Sequence, residues 1–181
     1  MEKRESAGLA IVYQGKLLVA HTTGRKINKG WGIPKGGLES GETPLQAAIR
    51  ETYEEIGVKV KKSLIDSTPH QFIVTSRKYK YTKVVTYFIV NIDNLKQIGL
   101  KDEVIDPKRL QLEEINAAQF VSLNSLKEMM MVSQQVVLTN LTNQGLLESN
   151  QEDNNLKKIR HFAGSFNDYI NYWNGRITED N

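Results

Sequence analysis

Three carboxylates, Glu51, Glu54 and Glu55, stand at i, i+3 and i+4 in a stretch whose other residues read as a helix. That spacing puts all three acids on one helical face, which we expect to be the solvent-facing one, turned away from Leu45, Ala48, Ile49 and Thr52. Like charges so close repel by a few tenths of a kcal/mol per pair, so they require either solvent or a cation. A solvated acidic face is the commonest fate of such a triplet, because Glu is a good helix former. The chain contains no Cys, which removes disulfides, thiol nucleophiles and Cys-based zinc sites, so chemistry falls to carboxylates, hydroxyls, the three His or a bound metal.

The residues around the triplet define its setting. Thr43 is a natural N-cap, Pro44 suits the first helical position, Leu45, Ala48, Ile49, Thr52 and Ile56 recur at helical spacing, and Gly57 ends the helix. Upstream, Ala7–Tyr13 and Lys16–Thr22 are apolar runs joined by Gln14-Gly15, the signature of a tight hairpin. TTGRKINKG reads as a loop, followed by the short apolar segment Trp31–Pro34 and a glycine-rich turn. Downstream, Val58–Val60, Gln71–Thr75, Val84–Ile92 and Gln119–Leu123 have strand character, Asp93–Leu112 reads as a long connection, and Asn124–Asn140 reads as a second helix.

From Gly36 to Val58, the residues Gly36, Glu42, Arg50, Glu51, Glu54, Glu55, Gly57 and Val58 fall at the spacings G-x5-E-x7-R-E-U-x-E-E-x-G-U. This resembles the Nudix box; Thr52 alone departs from it, standing where an aliphatic residue is usual. With its flanking strands the resemblance spans roughly Ala7 to Leu141. It implies an α/β Nudix fold, a mixed β-sheet sandwiched between helices. It also implies hydrolysis of a pyrophosphate linkage with Mg²⁺, for which Mn²⁺ can substitute. A hard divalent cation takes oxygen ligands and keeps some of its waters, while substrate phosphates complete its shell.

Carried onto this chain, the resemblance makes Glu54 and Glu55 metal ligands, with the Lys35 backbone carbonyl and the close approach allowed by Gly36 beside them. Glu51 orients or deprotonates the attacking water. Arg50 and Glu42 organise the site, the guanidinium being suited to holding carboxylates, and Gly57 is structural. Glu114, rather than Glu113, is the preferred further acid. His21 and His70 have no partner spacing and are expected to be structural or exposed.

WGIPKGG at Trp31–Gly37 resembles the entry segment of polyphosphate-hydrolysing members. It implies substrate contacts from Lys35 and from Trp31, the latter as a base-stacking ring or, equally, a core residue. Arg25, Lys26 and Lys29 add positive charge in the early loop, and Arg77, Tyr79, Tyr81 and Lys83 would share one face of an extended strand. The first guess for substrate is a dinucleoside polyphosphate or a nucleoside triphosphate. An RNA 5′-end pyrophosphohydrolase and a non-catalytic nucleotide- or nucleic-acid-binding Nudix module are the alternatives, the second disfavoured because all four box acids are present.

The 181 residues fit one domain with an extension, and we divide the chain into 1–145 and a tail of 146–181. In the tail, Leu156, Ile159, Phe162, Phe166, Tyr169, Ile170 and Trp173 recur at helical spacing after an Asn/Gln/Glu-rich stretch. We expect an amphipathic helix packed on the same domain, or else a dimer contact, so monomer and homodimer stay open. Lys plus Arg total 24 against 21 Asp plus Glu, a net charge of +3, which suits an anionic ligand and falls short of a dedicated nucleic-acid binder. The N-terminus has no signal-like run and VVTYFIV is too short to span a bilayer, so a cytoplasmic, non-membrane protein is expected.

Overall fold

The structure, a computed structural model, describes residues 2–148. The expected C-terminal helix lies outside the described residues. Strands β1 (Glu2–Tyr13), β2 (Lys16–Thr22), β3 (Trp31–Gly32) and β4 (Lys35–Gly37) precede helix α1 (Pro44–Ile56). Strands β5 (His70–Ser76), β6 (Tyr81–Ile92) and β7 (Ile115–Ser122) follow, then helices α2 (Leu123–Met129) and α3 (Gln135–Asn143). The sheet runs β3-β2-β1-β6-β5, with β7 on β2 and β4 on β1.

β1 organises this sheet. It pairs in parallel with β6 from Glu2↔Tyr81 to Tyr13↔Ile92, and its other edge is divided between β4, at Ser6–Gly8, and β2, at Val12–Tyr13. The Gln14-Gly15 turn behaves as its sequence requires, with φ of 46° and 72°, the doubly positive geometry that matches strand twist. Ala7, Leu9 and Ile11 of β1 pack with Ala47, Ala48 and Ile56 of α1, whereas Ala10 and Val12 pack with Leu126 of α2 and Leu138 and Leu141 of α3. Both faces of the sheet are covered, which is why its central strands read as unbroken apolar runs. The mixed sheet between helices is therefore as expected.

Three segments depart from the sequence reading. Val58 and Val60 are buried yet lie outside any strand, so their apolar character reports burial without a ladder. The single helix expected over Asn124–Asn140 is two, because Met130 takes an extended backbone and bridges Trp31 while Met131 N–H donates to the Trp31 carbonyl at 2.9 Å. Pairing with β3 thus breaks the helix. At the end of the described chain Leu147 belongs to the core and Glu148 N–H donates to the Gly15 carbonyl at 3.3 Å, so packing continues past residue 145.

Candidate active site

α1 is built to begin and end where the sequence says. The Thr43 hydroxyl accepts from Gln46 N–H while the Gln46 side chain accepts from Thr43 N–H, a reciprocal cap, and Gly57 closes the helix in the left-handed region at φ 65°. Thr52, the departure from the box, is fully buried and its hydroxyl donates to the Ala48 carbonyl at 2.8 Å. An aliphatic position is thus filled by a Thr whose polar atom is satisfied within the helix.

Arg50 is the hub. Its Nε and one terminal nitrogen clasp both oxygens of Glu42 at 2.9 and 2.8 Å. Its other terminal nitrogen reaches Glu51 at 2.8 Å and Glu54 at 2.9 Å, and a last hydrogen bond goes to the Gly37 carbonyl at 2.8 Å. All five N–H directions of the fork are used. The charge-assisted contacts hold Arg50 firmly protonated, and the same guanidinium, helped by Glu39 N–H, keeps the Glu42 carboxyl below the usual carboxylate range.

The three helix acids do not share one environment, which corrects the expectation of a solvent-facing triplet. Glu54 is about half exposed. Glu51 is mostly enclosed, and Glu55 is only 6% exposed, accepting from Lys35 N–H at 3.0 Å. Burial pushes the Glu51 carboxyl up against the pull of Arg50, and burial pushes Glu55 up to about 7 despite Lys35. Each also feels Glu114, whose negative charge adds to the upward push on both. Glu114 is itself exposed, on the turn before β7.

Gly36 supplies the reason for this enclosure. A Cβ there would lie 2.0 Å from a Glu51 carboxylate oxygen, so the strand and the helix meet across a gap that admits no side chain. Lys83 enters from β6, partly buried, with its amine pushed below the ordinary lysine range by desolvation and then by Lys35; the charges of Glu51 and Glu55 oppose this shift. The structure thus brings Lys35, Gly36, Arg50, Glu51, Glu55 and Lys83 together, with Glu42 and Glu54 tied in through Arg50.

Other expected residues lie elsewhere. Trp31 has no exposed surface, sits in the core on the α2–α3 side and donates from its indole to the Ile27 carbonyl at 2.6 Å, so it is a packing residue and not a base-stacking platform. Arg25 is exposed on the 23–30 loop. Arg77 and Tyr79 fall in the turn between β5 and β6, so of the basic and aromatic quartet only Tyr81 and Lys83 share a strand. His21 is buried between Asn116 and the Lys26 carbonyl, and His70 stacks on Tyr87 beside Asn140, structural roles for both. Sequence reasoning passed over Arg4 and Ser6, which register sets beside Lys83 and Val85. No local pattern could have found them, since the pairing joins distant segments.

The acids supply oxygen donors alone, the set a hard cation prefers. Among the described residues no three acids or histidines converge into a ready-made metal cage. Glu51 and Glu55 are raised by burial, which outweighs the pull of Arg50 on the first and of Lys35 on the second.

Comparisons with known proteins agree with this geometry. A family model described as NUDIX domain matches residues 2–140. The bis(5′-nucleosyl)-tetraphosphatase (asymmetrical) of Caenorhabditis elegans is 33% identical over 97 residues, covering 53% of this chain and 70% of that protein. An RNA pyrophosphohydrolase of Agrobacterium fabrum is 37% identical over 75 residues, covering 36% of this chain and only 42% of that one. Among solved structures, a MutT NUDIX hydrolase from Burkholderia pseudomallei superposes with a TM-score of 0.59 at 19% identity, covering 77% of this chain and 98% of its own. A bifunctional NMN adenylyltransferase/ADP ribose pyrophosphatase from Francisella tularensis, complexed with AMP and Mn ion, gives 0.55 at 19% identity, covering 78% of this chain and 42% of its own. Among the described residues no helix is long and apolar enough to cross a membrane. With the family model spanning most of the chain and three of the four box acids gathered around one arginine, this protein belongs to the Nudix family of hydrolases, which act on phosphoric anhydrides.

Proposed function

We propose that this chain hydrolyses a pyrophosphate link within a nucleoside polyphosphate, with a dinucleoside polyphosphate as the leading substrate and a nucleoside triphosphate as the next. The observation that carries the reading is the pairing of enclosed acids, Glu51 and Glu55, with the cations Lys35 and Lys83 at one site. Acids alone would repel a polyphosphate; with lysines alongside, the substrate has cations to bind as well as carboxylates to work on it. The tetraphosphatase name of the worm relative supports the length of chain suggested.

Glu55, Glu54 and the Lys35 carbonyl would hold Mg²⁺, or Mn²⁺ in its place, with Glu54 leaving Arg50 to do so. The bound cation would supply charge neutralisation at the phosphates and at phosphorus as the bond breaks. Glu51 orients the attacking water and takes its proton, and its raised affinity for protons suits a base. Arg50 holds Glu51 in place through its hydrogen bond. Glu114, whose charge reaches both enclosed acids, is the next acid in line to take the proton if Glu51 does not. Lys35 and Lys83 bind phosphate oxygens. The cytoplasm, rich in nucleotides and magnesium, is the expected compartment, as monomer or homodimer.

A second reading, removal of pyrophosphate from RNA 5′ ends, is favoured by the names of several bacterial relatives. One screen separates the two: chromatography of products from dinucleoside tetraphosphates, nucleoside triphosphates and 5′-triphosphorylated RNA, with Mg²⁺ or Mn²⁺. Preferred turnover of the RNA would replace the first reading, and turnover of none would remove both.

A further inference from the structure

Resting on that reading, we propose that Arg4, outside the box, forms together with Lys83 and the Ser6 hydroxyl a distal phosphate subsite that selects long polyphosphate chains over short ones. The register makes the case. Arg4 pairs with Lys83 and Ser6 with Val85 across the parallel β1–β6 ladder, and Gly8 pairs with Lys35 on β4. Arg4, Ser6 and Gly8 alternate with Ala7 and Leu9, so they project on the α2–α3 side of β1 with Ala10 and Val12. Lys83 lies one strand away from Arg4, about 4.8 Å in the ladder direction, and Gly8, the β1 partner of Lys35, is four residues along β1 from Arg4, about 13 Å at the rise of a strand.

Two groups of cations therefore stand along β1: Lys35, whose backbone N–H is on Glu55, at the level of Gly8, and the directly paired Arg4 and Lys83 four residues further along. Neither Lys35 nor Lys83 makes an ion pair among the described residues. Between them Ser6 is 1% exposed and its hydroxyl has no hydrogen-bond partner, a polar group enclosed beside like charges and lacking the acceptor that would complete it. Arg4 is differently placed. It is exposed, forked onto Glu2 at 3.0 and 2.9 Å and held over the Tyr81 ring at 4.8 Å. An exposed pair of this kind contributes little, so a phosphate can replace Glu2 while the ring keeps the guanidinium plane in position. A two-phosphate substrate is met by Lys35, and only a longer chain reaches the Lys83–Arg4 pair and the fork of Arg4.

The test uses the full chain, Arg4→Gln and Ser6→Ala, each assayed on a dinucleoside diphosphate and a dinucleoside tetraphosphate of the same base. In parallel, calorimetric binding of inorganic tripolyphosphate and pyrophosphate is measured with magnesium. Arg4→Gln is expected to raise KM for the tetraphosphate, and the Kd of tripolyphosphate, about tenfold, with both short-chain values within twofold. Ser6→Ala is expected to move the same pair of values in the same direction by less. Equal losses on long and short ligands, or no loss on either, would overturn the subsite. If the wild-type enzyme cleaves neither nucleotide, the function proposed above fails, and the calorimetric comparison still decides for or against Arg4.

Discussion

The unit from Lys35 to Gly57 and the β5–β6 hairpin contribute opposite charge to one site, and they differ in how finished they are. In the first, Arg50 satisfies four partners at 2.8 to 2.9 Å and the acids are held in place by a loop, a strand and a helix close in sequence. In the second, Lys83 is partly buried with Lys35 and Arg4 as its like-charged neighbours. The acidic half is assembled in advance of any ligand, and the basic half is left with unmet charge. Catalytic groups gain from being fixed before substrate arrives, whereas binding groups gain from having their best partner missing.

The largest effects should come from disturbing the finished half. Glu51→Gln is expected to lower kcat by about 10² to 10⁴-fold with little change in metal affinity, the range of general-base contributions. Gly36→Ala should approach that loss without touching a charge, because its Cβ would sit 2.0 Å from the Glu51 carboxylate. Single-turnover rates at saturating metal measure both, and wild-type rates in Gly36→Ala would mean that Glu51 need not be held there.

Next in size is a pH effect on stability. Glu55, with its folded value near 7 against an ordinary 4.5, holds a proton more tightly folded than unfolded. In metal-free protein the Glu55 contribution should therefore be fully present below pH 4.5 and, on the order of 3 kcal/mol, be lost as pH rises through 7. Glu42, lowered by Arg50, acts in the other direction, its contribution fading as pH falls below the carboxylate range. Urea unfolding with chelator at pH 5 and pH 8 should show the loss in the wild type and little of it in Glu55→Gln; a flat wild-type profile would count against the enclosure of Glu55.

The unfinished half should respond more gently. Lys83→Gln is expected to raise KM about tenfold and spare kcat, as loss of a uniform phosphate contact does; an equal fall in kcat would make Lys83 part of the chemistry. Smallest of all, Thr52→Val should change the unfolding free energy by less than about 0.5 kcal/mol, since the hydroxyl bonds only its own helix. A cost above 2 kcal/mol would show that the departure from the box matters to packing.

The same division explains what the sequence could reveal. The cap, stop and acids of α1 lie within one short stretch, so their spacing announced both helix and chemistry, as did the Gln14-Gly15 hairpin. Which acids are enclosed was not legible, because Glu55 is covered by Lys35 and Glu51 by Gly36, contacts from another element. The helix break at Met130, the burial of Trp31 and the turn at Arg77–Lys80 depend likewise on what pairs with what. Arg4 and Ser6 gained meaning only from the β1–β6 register.

That register also sets an order of assembly. β1 must find β6 in parallel across a separation of roughly eighty residues, and long loops are costly to close before their contacts form. The acids of α1 lie close to the strand and loop that hold them. During refolding, then, helix signal and the Arg50 cluster should appear ahead of the Arg4–Lys83 alignment, and the capacity to bind polyphosphate should be the last property to return.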